Sequence, residues 1–232
     1  MAGKATIPGT GLIVVDMQVD FVTGSLAVPG ATELLGPVNE IISLPFAYRV
    51  ASKDFHPAGH ISFATTHGKP LFETITIYPP EDLVAQTGGD ITTIKERGLG
   101  QTLWPDHCVQ GTRGAEIIPG LNVDDTFDII PKGTHLGVEC YSAFQDPWHL
   151  LRTDLEDKLH HHEVKDVYLV GLAGDYCVKA TAIDAAKAGF STFVVTDGVR
   201  SVSPGGKEYE EMKAAGVGII DLVELKKRMQ VA

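Results

Sequence analysis

The chain is 232 residues long, 44% apolar and 21% charged, a balance that fits one sizeable α/β domain able to bury a full core without disulfides or a structural metal. Thirty acidic residues against 19 basic ones give a net charge of −11, which repels phosphate backbones and anionic lipid, so neither nucleic acid nor a membrane is expected as a partner. The longest apolar runs are too short to span a bilayer, the first residues carry no signal-peptide core and the last three no peroxisomal tripeptide. Cys108, Cys140 and Cys177 are too few for a disulfide framework and suit a reducing compartment. A cytoplasmic location is expected, with nuclear or peroxisomal association left open.

Short β-rich runs alternate with helical stretches. Strands are predicted over 12–15, 48–52, 127–130, 167–170, 191–195 and 217–220. Between them, helices are predicted over 33–44, with Leu34, Leu35, Val38, Ile41 and Ile42 on one face, over 146–160, over 175–188 up to the stop at Gly189, and over 207–215, with a short helix at the end. Near-continuous apolar strands joined by helices imply a single-domain α/β fold over 1–232: a six-stranded, mostly parallel sheet with helices on both faces, three layers in all. The stretch from about 57 to 100 breaks the alternation with Pro57, Pro70, Pro79, Pro80, Gly88 and Gly89, and is expected to be a lid, a binding loop or an interface. The run His160, His161, His162 is expected to be a solvated helix end.

Reactive side chains fall at the ends of these strands. Asp16 follows the first, Asp54 and His56 the second, Lys132 the third and Cys177 the fourth. Ligands of open parallel sheets collect at the carboxyl ends of the strands, so the four placements together describe a site. Cys177 stands near the start of a helix after a glycine-containing turn, where free N–H groups and the helix dipole favour the thiolate and can hold an oxyanion. Its other reading is a buried structural thiol, the role assigned to Cys108 and Cys140. A carboxylate behind a buried strand is costly unless used, which makes Asp16 a candidate general base; Asp20 reads as structural. Lys132, between a buried strand and Gly133, would raise the thiolate population and keep Asp16 ionised. Asp54 and His56 point to the same side of an extended chain, and with His107 from a distant segment they form a ligand set suited to Zn²⁺, with Fe²⁺ or Mn²⁺ as alternatives. His60, Ser62 and His67 are further candidates for a fourth ligand. No nucleophile elbow, phosphate loop, dinucleotide fingerprint or Cys-x-x-Cys pair is present.

Six segments resemble the isochorismatase-like cysteine hydrolases, and within them the nicotinamidases, above all the fungal type. They are 14–21 (Val-Val-Asp-Met-Gln-Val-Asp-Phe), 52–63 (Ser-Lys-Asp-Phe-His-Pro-Ala-Gly-His-Ile-Ser-Phe), 103–109 (Leu-Trp-Pro-Asp-His-Cys-Val), 131–133 (Pro-Lys-Gly), 141–144 (Tyr-Ser-Ala-Phe) and 170–178 (Val-Gly-Leu-Ala-Gly-Asp-Tyr-Cys-Val). The resemblance implies hydrolysis of nicotinamide to nicotinate and ammonia through a thioester, with Cys177, Asp16 and Lys132 as catalytic residues. It further implies one divalent metal ion on Asp54, His56 and His107, and a non-proline cis peptide at Leu172–Ala173. Backbone N–H groups of Ala173 and Cys177 would form the oxyanion hole, and Phe21, Trp104 and Tyr141 would pack around the pyridine ring. A related amidase acting on pyrazinamide or an N-carbamoyl compound, an isochorismatase, and a non-catalytic α/β binding module are the alternatives. The sequence does not fix the oligomeric state, and a dimer or larger homo-oligomer is compatible with it.

Overall fold

The computed structural model describes residues 5–230. In chain order the elements are β1 (Ile7–Val15), α1 (Val19–Val22), α2 (Leu35–Ile42), β2 (Phe46–Asp54), α3 (Ala64–His67), β3 (Thr74–Ile77), α4 (Glu81–Gln86), β4 (Leu99–Thr102) and β5 (Asp128–Lys132). There follow α5 (Leu155–His161), β6 (Asp166–Gly171), α6 (Lys179–Lys187), β7 (Ser191–Val199), α7 (Lys207–Ala214), β8 (Gly218–Ile220) and α8 (Leu222–Arg228). Six of the strands form one sheet in the order β5-β2-β1-β6-β7-β8, every pair parallel.

Side chains of β1 alternate between two cores. Leu12 and Val14 pack with Val38 and Ile41 of α2 and Leu225 of α8. Ile13 and Val15 pack with Leu155 and Leu159 of α5, Ala182 and Ala185 of α6 and Met212 of α7. A strand covered on both faces needs apolar residues at consecutive positions, which is why 12–15 reads as an unbroken run. Among the described residues, no helix is long and apolar enough to cross a membrane.

All six expected strands are present, most of them longer than their apolar centres. The helix predicted over 146–160 is present only from Leu155. Its first half is a loop because the buried Asp146 carboxylate accepts the backbone N–H groups of Trp148 (2.8 Å), Leu150 (2.8 Å) and Leu151 (2.5 Å), bonds that compete with helix formation. Pro147 removes a further donor. The predicted helix over 175–188 opens as a π-type turn, Gly174–Val178, before α6 begins. The 57–100 stretch carries a two-stranded antiparallel pair, β3 with β4. A small core of Ile77, Val138 and Trp148 ties it down.

The strand order puts the reversal of winding between β1 and β6. From β1 the chain builds outward through β2 to β5, then returns to β6 and builds the other way through β7 and β8. A crevice forms at such a reversal, outside the carboxyl ends of the strands.

Candidate active site

Asp16 and the turn carrying Cys177 flank this crevice, one at the end of β1 and the other after β6. Asp16 takes a left-handed backbone, φ 47°, which aspartate tolerates better than most residues. Its side chain is fully buried, and Oδ1 accepts the Ser52 hydroxyl at 2.7 Å. Lys132 ends β5 in register with Asp54 at the end of β2. Its Nζ donates to Asp54 Oδ1 at 2.5 Å, to the Cys140 carbonyl at 3.1 Å and to Cys177 Sγ at 3.3 Å, and lies 2.9 Å from Asp16 Oδ2. That last approach is out of hydrogen-bond alignment, so Asp16 Oδ2 has no hydrogen-bond partner among the described residues. Ion pairing with Lys132 and a free lone pair leave this oxygen able to take a proton from the sulfur.

The electrostatics differ from the sequence expectation at Cys177. Burial pushes its thiol well above the usual range; Lys132 pulls it down, and the Asp16 and Asp54 carboxylates push it up again. Loss of water and the two nearby negative charges favour the thiol form, against the pull of the lysine. Burial also raises Asp16 against the pull of Lys132. Lys132 is itself raised well above its ordinary value, because Asp16 and Asp54 more than offset its burial, so it stays an ammonium. The turn around the sulfur is closed by Tyr176 N–H and Val178 N–H, which both donate to the Ala173 carbonyl (3.1 and 3.0 Å). Ala173 N–H has no acceptor among the described residues, and the Leu172–Ala173 peptide is cis. Cys108 and Cys140 are buried; the Cys140 thiol is pushed up to about 12, first by burial.

Asp54, His56 and His107 bring one ligand atom each within 4.8 Å of one another. Nδ1 of His56 lies 2.8 Å from the Gly133 carbonyl and Nδ1 of His107 lies 2.8 Å from the Pro105 carbonyl. A carbonyl only accepts, so both Nδ1 atoms carry a proton, and in the neutral ring each Nε2 then presents a lone pair. These converge on Asp54 Oδ2, at 3.5 Å from His56 and 3.9 Å from His107. One carboxylate and two ring nitrogens aimed at one buried point, His56 Nε2 without a hydrogen-bond partner among the described residues, fit a divalent cation. Gly133 permits this arrangement: it has φ 60°, and a Cβ there would sit 2.4 Å from the His56 ring. The alternative ligands are engaged elsewhere. His60 uses both ring nitrogens, on Ser62 Oγ (2.8 Å) and the Val138 carbonyl (3.1 Å), and stacks on His56; His67 Nε2 lies 2.7 Å from the Ile61 carbonyl.

Above these groups lies a pocket lined by Phe21, Leu26, Val28, Trp104, Tyr141, Ala173, Tyr176 and Val202, with Asp54, His107, Glu139 and Cys177. All three aromatic residues singled out in the sequence face it. Tyr176 adds a fourth ring, 5.0 Å from Trp104 and 5.4 Å from Tyr141. Gln18, Ser52 and Glu139 were not anticipated. Gln18 is fully buried and clamps the backbone of Asp54, donating to its carbonyl at 2.7 Å and accepting its N–H at 2.8 Å. A polar residue two positions after Asp16, in a buried segment, was the available signal for Gln18. Asp20, read as structural, accepts the Cys108 N–H at 2.8 Å and so holds the loop that carries His107.

Fold and site together define an α/β protein with a buried cysteine, carboxylate and lysine at the reversal of its sheet, beside a cation site. Residues 10–222 match the isochorismatase domain, and the chain belongs to that family. It is 38% identical over 223 residues to the nicotinamidase of Saccharomyces cerevisiae, covering 90% of this chain and 98% of the relative. The crystal structure of the yeast nicotinamidase bound to the inhibitor nicotinaldehyde superposes with a TM-score of 0.83 at 36% identity, covering 91% of this chain and 99% of that one. The pyrazinamidase of Pyrococcus horikoshii, solved in complex with zinc, superposes with a TM-score of 0.71 at 35% identity, covering 93% of this chain and 100% of that one.

Proposed function

We propose that this protein is a nicotinamidase, hydrolysing nicotinamide to nicotinate and ammonia through a thioester on Cys177. The observation that carries the reading is the convergence of Lys132 Nζ on Asp16 Oδ2 (2.9 Å) and Cys177 Sγ (3.3 Å) at the base of an aromatic pocket.

With the thiol form favoured, the first step is deprotonation of the sulfur. Asp16 Oδ2 accepts the proton as the sulfur attacks the carboxamide carbon, and Lys132 stabilises the developing thiolate. The C=O π bond opens to an oxyanion, which the N–H groups of Ala173 and Cys177 receive. Collapse re-forms the carbonyl and breaks the C–N bond, and Asp16 returns the proton to the departing nitrogen, releasing ammonia. A water molecule, deprotonated by Asp16, then attacks the thioester; the C–S bond breaks, and nicotinate and the Cys177 thiol are regenerated. Asp54, His56 and His107 would hold the divalent ion, which supplies a Lewis acid for the substrate's ring nitrogen. Zinc is the ion we favour, with iron or manganese as alternatives. Phe21, Trp104 and Tyr141 hold the flat ring. The chain acts as one domain on a small molecule, without nucleic acid or membrane, in the cytoplasm with nuclear or peroxisomal association left open.

Ammonia release from nicotinamide by the purified protein tests the reading. Wild-type protein is expected to release it and Cys177→Ala protein to release none while keeping its fold and metal; ammonia release by the variant at the wild-type rate would refute the assignment.

A further inference from the structure

Glu139 is a buried carboxylate that the hydrolytic steps do not use. It is 3% exposed, lines the pocket beside Tyr141 and Cys177, and pairs with no lysine or arginine among the described residues. Lys132, the only buried ammonium among the described residues, is taken by Asp16 and Asp54. Glu139 Oε1 accepts the Cys140 N–H at 2.8 Å; Oε2 has only the Gln101 amide, at 3.4 Å. The same Gln101 Nε2 also donates to the Thr102 carbonyl at 2.7 Å and to Tyr141 Oη at 3.1 Å, so its bond to Glu139 is the weakest of three. Oε2 is thus left with one long hydrogen bond at the edge of the pocket, and the carboxylate's ionisable neighbours include the His56 and His60 rings, with ligand atoms within 4.8 Å of one another. Such an oxygen costs free energy unless a ligand or a function offsets it.

The substrate and the product of the proposed reaction differ at one place. The amide is neutral and offers N–H donors; the acid ionises and offers only acceptors. An acceptor-only, negatively charged group at the wall is compatible with the first and repels the second. We propose that Glu139 discriminates by charge, admitting the neutral carboxamide and expelling the carboxylate product. The proposal rests on the amidase reading and adds a specificity-determining residue to it. Whatever charges Asp16, Asp54, Lys132 and a bound ion carry, replacing Glu139 by glutamine makes the pocket one unit more positive and leaves its shape almost unchanged. A single charge acting over several ångströms in a partly screened interior changes the affinity for an anion by about tenfold or more.

The test is calorimetric titration of Cys177→Ala protein, which holds ligands without turning them over, with nicotinamide and with nicotinate. With Glu139 in place, nicotinamide is expected to bind at least about tenfold more tightly than nicotinate. In the double variant with Glu139→Gln, nicotinate is expected to tighten by about tenfold or more and nicotinamide by less than about threefold. In turnover by the single Glu139→Gln variant, inhibition by added nicotinate should strengthen by the same factor, and by more than any change in KM for nicotinamide. The first comparison needs no substitution at 139, so it stands even if that variant fails to fold. Equal binding of the two ligands with Glu139 present, or a parallel change in both on substitution, overturns the proposal while leaving hydrolysis of nicotinamide intact. A wild-type protein that neither binds nor hydrolyses nicotinamide sinks the substrate reading, and this proposal with it.

Discussion

At Cys177 two opposing effects meet, and the structure decides between them. The start of a helical turn and a nearby ammonium favour thiolate; burial and two carboxylates disfavour it more. The sulfur is then a nucleophile made on demand by Asp16 rather than a standing thiolate. Two measurements follow from the signs. In metal-free protein, alkylation of Cys177 by iodoacetamide is expected to be no faster than that of a free thiol at neutral pH and to climb as pH rises through 9, since the thiolate fraction grows only toward a raised pKa. A rate already at its plateau near pH 6 would contradict this. Asp16→Asn removes a negative charge that raises the thiol, so alkylation should quicken, while amide hydrolysis, deprived of its base, should fall by about 10²–10⁴ in kcat. A change of both rates in the same direction would refute the role given to Asp16. At this scale Asp16, Lys132 and Cys177 were legible because each follows an apolar strand. Gln18 and Glu139 were not, because their importance lies in partners 36 and 38 residues away, Asp54 and Gln101, which no local pattern announces.

Elements were legible where period and burial agree and obscure where a side chain captures the backbone. The six sheet strands stand out as apolar runs, whereas the 146–154 loop imitates a helix in composition. Its conformation is set by Asp146, whose carboxylate holds three N–H groups. Asp146→Ala leaves those donors buried and unpaired, an expected loss of about 3 kcal/mol, read from urea unfolding. A loss within error of zero would mean water replaces the carboxylate. The end of β5 makes a sharper demand. Gly133→Ala places a Cβ against the His56 ring in a backbone that disfavours it, with strain of about 1–2 kcal/mol. The variant is expected to fold yet bind less than one equivalent of metal; full metal content, measured by mass spectrometry of the ion, would remove the steric link between the strand end and the cation site.

For the whole molecule, the number and direction of the strands could be read from the alternation of elements, but not the order in which they lie. Nothing in the apolar pattern says that β1 sits between β2 and β6, and that placement brings residues 16, 54, 132 and 177 to one crevice. The cation site joins the ends of β2 and the 103–109 loop, so the ion should stabilise the fold as well as the reaction. Zinc at a hundredfold excess over its Kd is expected to add about 2.7 kcal/mol and raise the thermal midpoint, an effect absent in His56→Ala and His107→Ala proteins. Equal stabilisation of those variants would place the ion elsewhere. The thioester is the centre of the proposed chemistry, and its most direct test is acid quenching of the working enzyme at millisecond times, followed by peptide mass spectrometry. A nicotinoyl group on the peptide bearing Cys177, appearing before the ammonia steady state, is the expected result. A nicotinoyl group on another residue, or full turnover by Cys177→Ala protein, would contradict it.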